Sequence, residues 1–529
     1  MARTFMARPI VVRRVAAAAL AAAALSLAGR PAAVAGQVPT REYAERRDSL
    51  LARVDSGVVV AFGGVEPVVH YPPFSQLPSF EYLTGFHEGD AVLLLVKRGG
   101  ARTSTLFVPP RNPRLELFVG ARTGPAEVPA RAGVPGRLLA ELRPTVDSLL
   151  ATGLPLFVVS DVQTADYARA DTLTRGARFV AAVRAARPTA DVRSLDTVAL
   201  RLRAQKSPAE VALLRRAAVI SAAGHREAMR AVAPGCNEGE IQALLDGTFR
   251  RMGGERPGYA SIVGSGPNAT VLHYDADDRV MQDGDLLVID AATAFGHYSA
   301  DVTRTLPVNG RFSPEQRAVY QIVRDAQAAY VRQLRPGASI ATASDSGRAV
   351  VAAGLARLGL IEAPDATFDA PNTPPGAPGA STAGADTAGG RAAYRQVPQV
   401  SLYAWHGYGG HGLGLEVHDP AQYYRGARLV QPGDVFTVEP GVYVKPAVLD
   451  GLADTPRNRA MVARLRPVMA RYRNVGVRIE DDYAMTAGGV EWLSAGVPRE
   501  ADEVEAAMRA RARHPASLPG GGACGRPNA

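Results

Sequence analysis

Two stretches of the chain open in the same way, and that repetition limits the fold more than any other feature. Ser207-Pro208-Ala209-Glu210 places a capping serine, a proline in the first helical turn and a glutamate that can reach back to the cap. Ser313-Pro314-Glu315-Gln316 repeats the plan. The first of these helices should run to about Val232 and stop before Pro234-Gly235. Asn237 then caps a second helix with Ile241, Leu244, Leu245, Phe249 and Met252 on one face. The later copy stops at Pro336-Gly337 and is followed by a helix through Leu358. Extended segments come after each helix pair, Asp285 to Ala291 and Asp301 to Leu306 in one half, Val435 to Val444 and Val475 to Tyr483 in the other. The pattern is an internal duplication of a helix, helix, strand, strand unit.

Ahead of it, residues 40–200 alternate short β-branched runs (Val58 to Phe62, Ala91 to Val96, Thr105 to Val108, Leu156 to Val159) with helical stretches, an α/β pattern. Arg201 to Ser207 reads as a polar joint to a second domain over 201–505. The whole is expected to be α+β, and 529 residues favour two domains over one. Residues 363–391, rich in Pro, Gly, Ala, Thr and Asp without periodicity, read as a mobile surface insertion, and 512–529 as a disordered tail.

Residues 1–35 place arginines before an Ala/Leu-rich stretch and end in Ala33-Val34-Ala35, the form of a cleavable export signal. The apolar stretch is shorter than the roughly 20 residues that span a bilayer. A periplasmic or secreted protein without stable membrane insertion is expected. Removing Arg3, Arg8, Arg13, Arg14 and Arg30 with the leader brings the formal charge from +9 to +4, too mild to argue for nucleic acid. Cys236 and Cys524 are too few for a disulfide framework and support neither a structural zinc nor a thiol nucleophile.

Chemistry enters with acids in apolar strands. Asp290 ends Leu286-Leu287-Val288-Ile289, and Asp301 follows eleven residues later, beyond a turn at Ala294-Phe295-Gly296-His297. In a hairpin the two carboxylates can face each other, which a cation between them would stabilise; turn-capping aspartates are the plainer reading. Residues 406–419 then hold three of the nine histidines, His406, His411 and His418, among glycines that let backbones approach closely. One such histidine would usually be a satisfied core residue; three in a Gly-rich run favour a site. Glu439 and Glu480 lie in apolar strands of the second half, where an ion pair to an arginine such as Arg478 is the simpler role.

At these residues the sequence resembles the pita-bread metallopeptidases of the aminopeptidase P and prolidase group. The resemblance covers roughly residues 40–500 and maps the five metal ligands of the family onto Asp290, Asp301, His411, Glu439 and Glu480. Asn268-Ala269-Thr270-Val271-Leu272-His273 is similar to the segment of the substrate-binding histidine, Asp301-Val302-Thr303-Arg304-Thr305 to the strand of the second ligand, and His418 to the other active-site histidine. Phe74 to Val96 resembles the amino-terminal domain of aminopeptidase P-type members. Two departures stand out: four residues separate His406 from His411 where the family has three, and Leu449 to Tyr472 is longer than in compact members.

The resemblance implies an exported Xaa-Pro aminopeptidase that releases the residue before a proline at the second position of a peptide. Two divalent ions, Mn²⁺ first and Zn²⁺ or Co²⁺ as alternatives, would suit four carboxylates and one imidazole. A hydroxide held between them would attack, Glu439 would move the proton, and His273, His406 and His418 would bind the substrate, His273 and His418 also stabilising the oxyanion. Arg478 would orient Glu480 or meet a substrate carboxylate. A homo-oligomer is expected. An Xaa-Pro dipeptidase with the same metals, a metal-free hydrolase on the same fold and a non-catalytic peptide-binding module are the competing readings.

Overall fold

A computed structural model describes residues 37–66, 74–159, 174–372, 394–403, 410–420 and 429–510. The expected leader, most of the 363–391 insertion, the tail from 512 and His406 lie outside the described residues. No helix among the described residues is long and apolar enough to cross a membrane.

The β-branched runs of the amino-terminal part pair into one six-stranded sheet. Its edge-to-edge order is Gly136–Leu138, Ala101–Val108, Val92–Arg98, Gly57–Phe62, Leu156–Val159, Val192–Ser194. Gly57–Phe62 is antiparallel to Val92–Arg98 and parallel to Leu156–Val159, so the sheet is mixed. Every residue of that central strand is buried, as expected where both faces are covered.

Both Ser-Pro starts cap their helices as the spacing predicts. Ser207 Oγ accepts from the Glu210 N–H at 3.2 Å while Glu210 accepts from the Ser207 N–H at 2.8 Å, and Ser313 with Gln316 repeats the exchange. The helices run Pro208–Ala231, Glu238–Arg251, Pro314–Val331 and Ile340–Arg357. They back two groups of strands. In the first half Leu286–Asp290 lies between Ile262–Ser265 and Thr303–Pro307, both antiparallel, with Thr303 opposite Asp290.

The long strands expected in the second half are each divided at the glutamate. Val435–Val438 pairs with Asp481–Thr486, and Gly441–Tyr443 pairs with Gly476–Arg478. Pro440 has no N–H for a continuous ladder, so the chain breaks there, and Glu480 sits at the matching break. The halves are stitched at this point: the Glu480 N–H donates to the Thr303 carbonyl at 3.1 Å, and the Thr305 hydroxyl to the Arg478 carbonyl at 2.9 Å.

Two expectations are refined. The polar joint at 201–207 is largely built into the fold: the helix Asp196–Ala204 runs into it, Arg203 and Lys206 are buried, and Arg203 pairs with Asp419 at 2.7 Å and Glu416 at 3.0 Å. Burying those cations against the Gly-rich run locks the two parts of the chain together. The insertion also begins in ordered structure, since Thr367–Pro371 pairs with Tyr394–Pro398. The longer segment near 449–472 folds as the helix Pro456–Arg471, and its Asn458 accepts from the Asp369 N–H and donates to the Asp369 carbonyl, both at 2.9 Å. The two extra segments are therefore partners.

Candidate metal centre

The breaks in the strands aim side chains at one place. Asp290 ends its strand, Asp301 precedes the next, and Glu439 and Glu480 occupy the interruptions of the second half. His411 arrives through the Gly-rich run, which lies against the strand Val435–Val438: the His411 N–H donates to Thr437 Oγ1 at 3.2 Å and the Thr437 N–H to the His411 carbonyl at 3.0 Å. Glycine is required just before it, because a Cβ at Gly410 would overlap the Thr437 carbonyl.

Asp301, His411 and Glu480 each offer a ligand atom, all within 4.8 Å of one another. His411 Nε2 stands 3.3 Å from Asp301 Oδ2 and 3.4 Å from Glu439 Oε1, so Glu439 belongs to the same cluster. Asp290 lies outside that trio, held by protein partners. Its Oδ2 is in close contact with the Arg478 guanidinium and its Oδ1 accepts from the Tyr259 hydroxyl at 2.6 Å.

Arg478 is fully enclosed and meets Asp290 directly, while its link to Glu480 runs through Thr303: Arg478 Nε donates to Thr303 Oγ1 at 3.1 Å, and that hydroxyl donates to Glu480 Oε2 at 2.6 Å. The geometry makes it a counter-charge to the first aspartate, not a direct contact of the glutamate. His418 is exposed, its ring 4.1 Å from that of His411. His273 is exposed at the mouth, among the fields of Arg478, Glu480 and His411; partial burial first, and Arg478 second, lower its pKa.

The charge balance of the cluster is incomplete. Burial first, and the neighbouring Glu480 second, push the carboxyls of Asp301 and Glu439 well above the usual carboxylate range. Among the described residues, Asp301 Oδ1 and Glu480 Oε1 are buried without a hydrogen-bond partner. Orphaned buried carboxylate oxygens are costly, and a divalent cation is the group that satisfies several at once. Oxygen donors with a single imidazole are the set that hard or borderline divalent ions take. The residues present fit a metal centre.

Several supporting residues carry no signal of their own in the sequence. Tyr259 and Thr303 act through the contacts above, Thr437 Oγ1 donates to Glu439 Oε1 at 3.1 Å, and Asp482 accepts from the Asp301 N–H at 3.2 Å. Thr303 and Asp482 were findable as neighbours of Asp301 and Glu480; Tyr259 was not.

Comparison with known proteins agrees with this geometry. Residues 212–487 match metallopeptidase family M24, and residues 43–152 match the aminopeptidase P N-terminal domain. The Xaa-Pro aminopeptidase of Haemophilus influenzae is 33% identical over 482 residues, covering 90% of this chain and 99% of its own. That of Escherichia coli is 33% identical over 483 residues, covering 89% and 98%. Among solved structures, zinc-substituted E. coli aminopeptidase P in complex with product superposes with a TM-score of 0.72 at 29% identity, covering 90% of this chain and all of that one. A putative aminopeptidase P from Bacillus anthracis gives 0.73 at 25% identity, covering 89% and 99%.

Proposed function

The chain belongs to metallopeptidase family M24, with the pita-bread fold and an aminopeptidase P-type amino-terminal domain, and from that premise we propose that it is an exported, dinuclear Xaa-Pro aminopeptidase. The observation that carries the reading is the convergence of Asp301, His411 and Glu480 with Glu439 beside them and two carboxylate oxygens left unsatisfied. Asp290, Asp301, His411, Glu439 and Glu480 would hold the ions, Mn²⁺ being the first candidate for so oxygen-rich a set. When bound, such a pair supplies a water that is nucleophilic near neutral pH and a Lewis acid for the scissile carbonyl.

The protein's own residues do the rest. Glu439, half-buried and the most accessible acid of the cluster at 23% exposure, takes the proton of the attacking water and delivers it to the leaving nitrogen. His273 and His418, both exposed at the mouth, are placed to donate to the substrate carbonyl as negative charge develops on it. Arg478 and Tyr259 fix Asp290 and offset its charge. A proline after the scissile bond has no N–H, so a peptidase that relies on that donor is disfavoured and a water-based attack is not.

Hydrolysis of Arg-Pro-Pro against Arg-Ala-Ala by the protein without its leader, with Mn²⁺ and then with chelator, tests this. Arginine should be released only from the proline peptide, and chelation should stop it. Turnover of Arg-Pro alone, with Arg-Pro-Pro untouched, would replace the aminopeptidase by the dipeptidase; no cleavage of any of these would favour a peptide-binding module. The leader at 1–35 supports export, and a precursor that stays unprocessed in the cytoplasm would overturn it. The family reading carries a homo-oligomer with it, which light scattering on the eluting protein checks.

A further inference from the structure

Away from the catalytic cluster, a second group of metal-binding side chains joins the two parts of the molecule. Glu81 lies in the short helix Pro78–Thr84 of the amino-terminal part, and His87 follows just after the helix ends at Gly85. His297 comes from the other part, at the turn between Thr293–Phe295 and Tyr298–Ser299, the hairpin that separates Asp290 from Asp301. The rings of His87 and His297 stack with centroids 3.7 Å apart and planes at 22°. One ligand atom from each of Glu81, His87 and His297 lies within 4.8 Å of the other two.

The arrangement is held in place by backbone. His297 has φ +71°, a left-handed conformation uncommon for a residue with a side chain. Glu255 secures that turn by accepting from the Gly296 N–H at 2.9 Å and the His297 N–H at 3.0 Å, and its Oε2 stands 3.5 Å from His297 Nδ1. Tyr43, Glu81, His87, Glu255 and His297 line a cavity of about 420 Å³, room for water and a hydrated ion.

The contacts inside the group are not those of a finished hydrogen-bonded cluster. Glu81, only 6% exposed, has Oε1 3.8 Å from His87 Nδ1, beyond hydrogen-bond reach. Ligands about 2.0–2.1 Å from one tetrahedral ion stand roughly 3.3–3.4 Å from each other, with the ion in the plane of each imidazole, so one of the two rings must turn out of the stack to assemble the site. Burial holds both imidazoles down to about 4, helped by His297 in the first case and by Arg256 in the second, which leaves them neutral with lone pairs to give. Burial pushes Glu81 up to about 8, outweighing the opposing pull of Arg256, Arg203 and Arg46. The neighbouring Arg256 has Nη1 turned to the carbonyls of Pro257 and Gly258 at 3.0 and 3.3 Å, away from the donors.

We propose that Glu81, His87 and His297 form a second divalent-metal site, of two nitrogens and one oxygen and suited to zinc, that clamps the amino-terminal part to the hairpin between Asp290 and Asp301. Water from the cavity, or Glu255, fills the fourth position. Donor type separates it from the catalytic cluster, which is built mainly of oxygen.

Metal counting after equilibrium dialysis of the whole protein against Zn²⁺ tests the site. The native chain should retain one more zinc than His87→Asn or His297→Asn; asparagine tolerates the left-handed turn at 297. Co²⁺ should give the visible absorption of a tetrahedral site, lost in both variants, and Zn²⁺ should raise the Tm of the native chain more than theirs. Mn²⁺-dependent turnover should be unchanged, which keeps the outcome separate from the catalytic reading. Equal zinc content and identical cobalt spectra in the native chain and both variants would overturn the proposal. Glu81→Gln provides a third comparison should either histidine variant fold poorly: it should also lose the equivalent, and a full complement in it would count against the site.

Discussion

Glu480 and Asp481 are consecutive, both buried, and belong to opposite kinds of chemistry. Side chains alternate along extended backbone, so one acid points to the cluster with Asp301, Glu439 and His411 and the other points away from it. Asp481 is saturated by protein: it accepts from Arg304 at 2.7 Å, Arg499 at 3.0 Å, Gln327 at 3.0 Å and Ser494 at 2.6 Å. Burial alone would raise its pKa, but Arg304 and Arg499 outweigh burial and hold it below the usual range. Glu480 keeps one oxygen unsatisfied, and its neighbours Asp301 and Glu439 are pushed upward. Equal burial therefore separates a structural acid from a functional one only once the partners are counted. At Asp481 the complete set of protein partners makes an ion pair of the fold; at Glu480 the incomplete one, beside Asp301 and His411, leaves a place for a cation.

The largest expected effect lies on the incomplete side. Glu439→Gln keeps the shape of the side chain and removes the group that carries the proton, so kcat should fall by about 10²–10⁴-fold. Far-UV circular dichroism and Tm should stay close to those of the native chain, since Glu439 is no partner of Asp481. A variant with near-native turnover would take the glutamate out of the mechanism and weaken the contrast.

On the saturated side the effect should appear in stability. Arg304 is fully buried and, besides Asp481, donates to the carbonyls of Thr303, Glu480, Val497 and Pro498. Arg304→Ala strands the Asp481 charge and four carbonyls, at a cost of about 3–5 kcal/mol. Denaturant unfolding of the metal-free protein measures it. A loss below about 1 kcal/mol would mean that Asp481 is held by Arg499 and Ser494 without Arg304.

Much of the incomplete side could be read from residue order, because acids at the ends of apolar runs and histidines among glycines are local signals. The helix starts at Ser207 and Ser313 were legible for the same reason: a cap is written within four residues. What escaped depends on partners distant in the chain. Thr367–Pro371 looked like loop because its pairing strand begins only at Tyr394 and its support, Asn458, is further still. Arg203 and Lys206 read only as part of a polar joint because Asp419, which receives both, is more than 200 residues away. His87 and His297 were unremarkable singly, and only the packing of the two parts stacks them.

The smallest effect is a slope, and it tests the comparison most directly. In the metal-free protein Asp301 and Glu439 have folded-state pKa values above their unfolded values of about 3.9 and 4.3. The stability tied to their protonation is fully present below about pH 4 and is lost as the pH rises through the raised values. Asp481 has the opposite sign: its contribution is present above about pH 3.9 and is lost as the pH falls through its lowered value. The Tm of chelated protein should thus decline as the pH is raised from about 4 toward neutrality, and Mn²⁺ should flatten that decline because it favours the ionised carboxylates. Asp301→Asn should flatten it without metal, while Ser494→Ala, which removes a donor to Asp481 and an acceptor for the Asp482 and Trp492 N–H groups but no carboxylate of the cluster, should leave the slope in place and lower the whole curve. Parallel curves with and without Mn²⁺ would show that the orphaned oxygens do not sense a cation, and the distinction between the two neighbouring acids would fail at its central point.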